Sequence, residues 1–165
     1  MQRVLPAVTF ALGAAALGAG AGSGASAACK AGVTKVNSID ARAFCGPAKA
    51  TVHYGTKLFT YTQGDCENSS KDVVVNIGTV MLGLTTRPKP NYFGLLVGTS
   101  AGGKAAARDG TYTGGVLALV YGGKGYVVRT TSLKIAIAGG RTRGTFTGVT
   151  RFDNPPSKVT GSFHC

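Results

Sequence analysis

Tryptophan is absent from this 165-residue chain, and acids and imidazoles are scarce: six Asp and Glu and two His stand against 18 Lys and Arg. The six carboxylates are scattered, which argues against the paired acids of glycoside hydrolysis. Two histidines without a carboxylate-rich neighbourhood give no metal site, and neither lies in a C-x2-C setting of the zinc type. No cofactor is expected. Crossover helices between strands are also missing, and beyond residue 28 no segment is apolar enough to span a bilayer.

What is present begins with an export leader. Arg3 supplies a positive start, "VLPAVTFALGAAALGAG" an apolar stretch, and Ala25-Ser26-Ala27 a small-residue cleavage site, so residues 1–27 read as a signal peptide cut after Ala27. A spanning helix competes, but Ala and Gly drive insertion weakly and no basic stop follows. "SAAC" (Ser26 to Cys29) is similar to a bacterial lipobox, yet Ser26 stands where an aliphatic residue belongs. Lipidation of Cys29 would also leave an odd thiol. The expectation is a secreted or envelope-associated protein. The Ala/Gly-rich leader suits a high-GC bacterium, in which the glycosylation-type triplet "NSS" at Asn68 carries no meaning.

Without Arg3, 17 Lys and Arg face six acids, a formal charge of +11. The remaining length suits one domain with a real core. Four cysteines (Cys29, Cys45, Cys66, Cys165) in an exported chain imply two disulfides, with three connectivities open. Two have a physical argument. Strands at 50–54 and 57–62 around Gly55-Thr56 form a hairpin in which opposed residues sum to 111, as do 45 and 66. Pro47 and Gly46 weigh against the ladder reaching that far. Alternatively, Cys66 joins Cys165 and Cys29 joins Cys45. Closing a loop of about a hundred residues restricts the unfolded chain by roughly 4–5 kcal/mol in the chain-entropy model.

Residues 28–48 read as a polar lead-in, in which "SIDARAFCG" carries the signals of one helical turn, Ser38 as N-cap and Gly46 as terminator. Residues 49–165 read as a single β domain. "DVVVNIGTVML" (72–82) is β-branched, and Leu133, Ile135 and Ile137 alternate with Lys134, Ala136 and Ala138 as in a half-buried strand. "GGVLALVY" and "GYVVRTT" flank "GGKG" as another hairpin. "DGTYTG", "RGTFTG" and "TGSFHC" echo one another as similar strand starts, too unevenly spaced for a solenoid. The expected fold is all-β: an antiparallel β-sandwich or curved half-barrel of about eight strands, disulfide-stapled, with at most one short N-terminal helix. The longer loops, 87–92 and 99–110, are the natural places for binding.

"GTSAGG" (98–103) contains the G-x-S-x-G pattern of a hydrolase nucleophile elbow, with Asp153 and His164 downstream. The elbow needs a helix starting at Ser100, but glycines occupy that first turn. It also needs a parallel α/β sheet, so this stretch is read as a turn and no catalytic residue is assigned.

Basic residues cluster late in the chain, several near turns. Lys124, Arg129, Arg141, Arg143 and Arg151 are the candidate binding residues, for anionic envelope polymers or lipid headgroups. Nucleic acid is not expected, because export removes the usual partner and no aromatic stacking motif is evident. Two rival roles are a carrier with an apolar cavity lined by Val75, Ile77, Leu119 and Ile135, and a hydrolase inhibitor presenting loop 87–92.

"ATVHYGTKLFTYTQGDCENSSKDVVVNIG", with the terminal Cys165, resembles the mycobacterial nineteen-kilodalton lipoprotein antigen family: a hairpin, a Cys, about ten residues, a V-N-I-type strand and a last Cys. The resemblance covers residues 50–78 and the C-terminus. It implies a small β-rich actinobacterial envelope or surface protein without catalysis, and it favours the Cys66–Cys165 bridge. The chain departs from that pattern in lacking a proper lipobox and in carrying Cys29 and Cys45.

Overall fold

A computed structural model describes residues 29–165, and the expected leader and cleavage site lie outside that range. In chain order the strands are β1 (Gly32–Val36), β2 (Ile39–Phe44), β3 (Ala48–Tyr54), β4 (Lys57–Asn68), β5 (Asp72–Met81) and β6 (Tyr92–Gly98). They continue as β7 (Gly110–Thr113), β8 (Val116–Tyr121), β9 (Lys124–Val127), β10 (Lys134–Ala138), β11 (Arg143–Val149) and β12 (Lys158–His164). All pair antiparallel in one sheet ordered β7-β10-β11-β12-β3-β4-β5-β6-β8-β9, with the β1–β2 hairpin added beside the second half of β5. The sheet curls into a half-barrel, so the curved form of the expected fold is the one adopted. Twelve strands replace the eight or so foreseen, and two of them, β1 and β2, arise in the lead-in that was read as polar with one helical turn.

The helical turn foreseen at Ser38 does not form. Asn37 and Ser38 both take left-handed backbone (φ 51° and 69°), which makes them a two-residue hairpin turn, and residues 39–44 run on as β2. The hairpin around Gly55 forms in the expected register, Tyr54 opposite Lys57, with Gly55 at φ 56°. That register does not persist to the cysteines. Gln63 turns left-handed (φ 64°) and a bulge shifts the pairing to Ala48 opposite Gly64, so Cys45 never meets Cys66. The bridges are Cys29–Cys45 and Cys66–Cys165, with Cα atoms 5.7 and 5.6 Å apart. The second links residues 99 apart in sequence and ties the end of β12 to β4.

The concave side of the curl is filled by one apolar cluster. Val52, Phe59, Tyr61, Val75, Ile77, Phe93, Leu95, Leu117, Leu119, Ile135, Phe146 and Phe163 all belong to it. Each such side chain contributes about 1.5–3 kcal/mol through burial. Aromatic pairs span the interior: Phe59 stacks on Tyr121 at 4.3 Å, and Phe93 lies 5.7 Å from Phe146.

The echo between "RGTFTG" and "TGSFHC" has a packing reason. In the β11–β12 ladder Gly144 faces Phe163 and Phe146 faces Gly161. Each ring lies over the glycine of the other strand. A Cβ at Gly144 would come within 2.6 Å of the Phe163 ring, and one at Gly161 within 2.5 Å of the Phe146 ring. Past β9 the chain pairs with the end of β11: Arg129 N donates to Val149 O and Arg151 N to Val127 O (2.9 and 2.8 Å).

Candidate functional site

Alternation sends one residue in two outward, and the register gathers these from six strands into ranks. The middle rank reads Thr111 (β7), Ala136 (β10), Thr145 (β11), Ser162 (β12), Thr51 (β3) and Thr60 (β4), each directly opposite the next. On one side of it lie Ala138, Arg143, His164 and Lys49 in the same order across β10, β11, β12 and β3. On the other lie Thr113, Lys134, Thr147, Thr160, His53 and Leu58. Lys158 projects from the start of β12 beyond them. Strands stand about 4.8 Å apart, so the middle rank runs for roughly 24 Å.

The face has four cations, two histidines and no carboxylate. It carries a shallow concavity of about 450 Å3 whose lining includes Thr51, Thr60, Thr145 and Ser162 together with Lys49, Arg143 and His164. The acids are engaged or placed elsewhere. Asp40 pairs with Lys35 at 2.9 Å, the one ion pair among the described residues. Asp72 accepts from the Ser100 backbone N–H, its hydroxyl and Ser69, and these bonds, the Ser100 N–H first, hold its pKa down. Asp109 borders the face: the N–H groups of Gly140 and Arg141 hold its pKa down, and the charge of Arg143 adds to this, while Asp153 is lowered by the hydroxyls of Thr150 and Tyr54. Asp65 lies on the outer half of β4 beyond the bulge, where burial raises its pKa.

The five candidate cations do not form one patch. Arg143 alone lies on the hydroxyl face. Arg141 sits in the β10–β11 turn, where its guanidinium is occupied: it donates to the carbonyls of Ser69 and Ala106 and so ties two loops to the hairpin. Arg129 and Arg151 share a separate concavity of about 590 Å3 with Val116 and Val127. Lys124 stands at the β8–β9 turn. Sequence reasoning counted Lys134 and Lys158 among the late basic residues without assigning them to binding, and it passed over Lys49, because strands distant in sequence meet only through register. The signal for all three was alternation, a cation or Thr at every second position.

Ser100 lies in an exposed 3-10 turn, Thr99–Ala101, closed by Gly102 at φ 74°. Its hydroxyl donates to Asp72, not to an imidazole. Asp153 binds Tyr54 at one end of β3, while His164 pairs with Lys49 at the other, five residues or about 17 Å away. The Ser-Asp-His trio is therefore not assembled. Loop 87–92 is held at both sides: Asn91 Oδ1 accepts from Gly122 N at 3.0 Å, and Lys89 bridges to Gly123.

Among the described residues no helix is long and apolar enough to cross a membrane, and no group of three or more His, Cys, Asp or Glu is placed to hold a metal ion. No protein-family model, curated protein or solved structure matches the chain.

Proposed function

We propose that the protein is an exported, non-catalytic binding module of the bacterial envelope or extracellular space, whose basic hydroxyl face holds anionic polymers or headgroups. One observation carries the reading: adjoining strands β10, β11, β12 and β3 present Lys134, Arg143, Lys158 and Lys49 outward, with a single acid, Asp109, at the border beside Arg143. A mixed surface would intersperse both signs. A face dominated by one sign concentrates its field and raises the local density of polyanions. The two disulfides suit an oxidising exterior. Val75, Ile77, Leu119 and Ile135 are all fully buried in the core, which supports a role for the surface over a role as an apolar carrier.

The test is retention of the secreted chain on dextran sulfate against neutral dextran across a salt series. Selective retention at low salt, lost as screening shortens the field to about 8 Å at physiological ionic strength, is the expected result. Equal behaviour on both matrices at low salt would refute the proposal.

A further inference from the structure

The face described above restricts the shape of its ligand as well as the charge. Resting on the polyanion-binding reading, we propose that the occupant is a linear anionic glycan lying across the strands, along the rank Thr111–Ala136–Thr145–Ser162–Thr51–Thr60. Three features point there. First, four adjoining members of the rank, Thr145, Ser162, Thr51 and Thr60, carry hydroxyls repeating at the inter-strand spacing of about 4.8 Å, close to the length of one sugar in an extended chain, with Thr111 a fifth beyond Ala136. The side chains of the rank are all small, so a chain of rings can approach the sheet closely at the shallow concavity. These hydroxyls cap no turn, in contrast to those of Ser69, Thr85, Ser132 and Thr142, which are bonded within their own loops.

Second, cations flank the middle rank, Lys134 on one side with Lys158 beyond it and Arg143 with Lys49 on the other. Arg143, His164 and Lys49 stand in adjacent strands one rank away, about 7 Å along the strands. That arrangement fits a chain whose hydroxyls meet the middle rank while carboxylate, sulfate or phosphate substituents reach the charged ranks beside it. Arg143 and Lys49 supply donors to those oxygens.

Third, the face lacks what rival ligands require. Binding a lipid surface takes a large apolar or aromatic face that enters the headgroup boundary, and here Leu58 stands alone at a corner. Gripping a single nucleic-acid strand takes aromatic platforms, and the aromatic rings of these six strands point inward or to the end of the curl.

The test titrates the leaderless chain with an oligomeric polyuronate, with inorganic polyphosphate of matched charge and with phosphatidylglycerol vesicles at one ionic strength. The parent is compared with Thr51→Val/Thr145→Val and with Lys49→Gln/Arg143→Gln. Valine keeps the shape and strand preference of threonine, and circular dichroism checks folding of each variant. Removing two ligand-facing hydroxyls should weaken polyuronate binding about tenfold and leave polyphosphate binding within about twofold. Removing the two cations should weaken both. Polyuronate binding indifferent to the valines, with polyphosphate bound as tightly, overturns the glycan inference and leaves the polyanion reading standing. Vesicles bound more tightly than either polymer also overturn the glycan inference and assign the face to a lipid surface. Binding to none of the three overturns both readings.

Discussion

The outer surface of the sheet differs sharply between its two halves. Over β7, β10, β11, β12, β3 and the first half of β4 it is threonine, serine and cations, mostly exposed. Over β5, β6, β8 and β9 it is aliphatic and half-buried: Val74 faces Leu96, which faces Val116, and Ala118 faces Val127. Both halves bury an apolar inner side, so both are equally able to fold. What differs is the solvent side, and a polar face across six strands with a single acid, Asp109, at its border is what a folding requirement alone would not demand. That contrast is the ground on which the binding role is proposed for the first half.

Four measurements would break or sharpen it. The largest effect is expected from Cys66→Ser/Cys165→Ser, which frees the hydroxyl half at β12 from β4. Losing a bridge between residues 99 apart should cost about 4–5 kcal/mol, a fall in Tm on the order of 10 °C or more. A Tm within about 3 °C of the parent would show that the two strands hold together without it. Next come the glycines. Gly161→Ala, under the hydroxyl face, places a methyl 2.5 Å from Phe146 and 2.2 Å from Thr51 O, and should cost about 2–4 kcal/mol in urea unfolding. Gly125→Ala, in the other half, meets nothing nearer than 4.0 Å and should change stability by less than about 1 kcal/mol. Equal costs would erase the packing contrast.

Third, charge reversal should separate the halves functionally. Lys49→Glu/Arg143→Glu is expected to weaken dextran sulfate binding at low salt by about tenfold or more, while Lys124→Glu, at the β8–β9 turn, changes it by less than about threefold.

The smallest effect concerns acid. Asp72, Asp109 and Asp153 have depressed pKa values, so the stability they contribute is present above the unfolded carboxylate range near pH 4 and is lost as pH falls through and below it. Asp65, raised by burial, acts in the opposite sense. Asp109→Asn should therefore lower Tm slightly at pH 7, with the gap narrowing at pH 3. A gap independent of pH would mean that the Gly140 and Arg141 N–H bonds do not depend on the charge.

Where alternation is strict, the sequence is a sufficient guide. Leu133, Ile135 and Ile137 are buried and Lys134, Ala136 and Ala138 exposed, as the pattern demands. The glycine turns at 55, 122–123 and 139–140 were legible for the same local reason, their need for left-handed backbone. Asn37-Ser38 was misread because the same residue types start helices and make hairpin turns, and only the pairing of β2 with β5 decides between them. The bulge at Gln63 leaves no local mark at all. The basic hydroxyl face was the least legible feature. Its charges were sought at turns, where neighbours in sequence stay neighbours in space, whereas Lys49, Arg143 and Lys158 meet only through long-range register.

The crossed glycine–phenylalanine contacts of β11 and β12 carry an evolutionary consequence. Positions 144 and 161 are closed to any side chain, since the Ala136 and Thr51 carbonyl oxygens as well as the opposed rings stand where a Cβ would go. Descendants of this fold should therefore keep glycine at both, while variation at their partners 163 and 146 is confined to side chains that still cover a bare backbone.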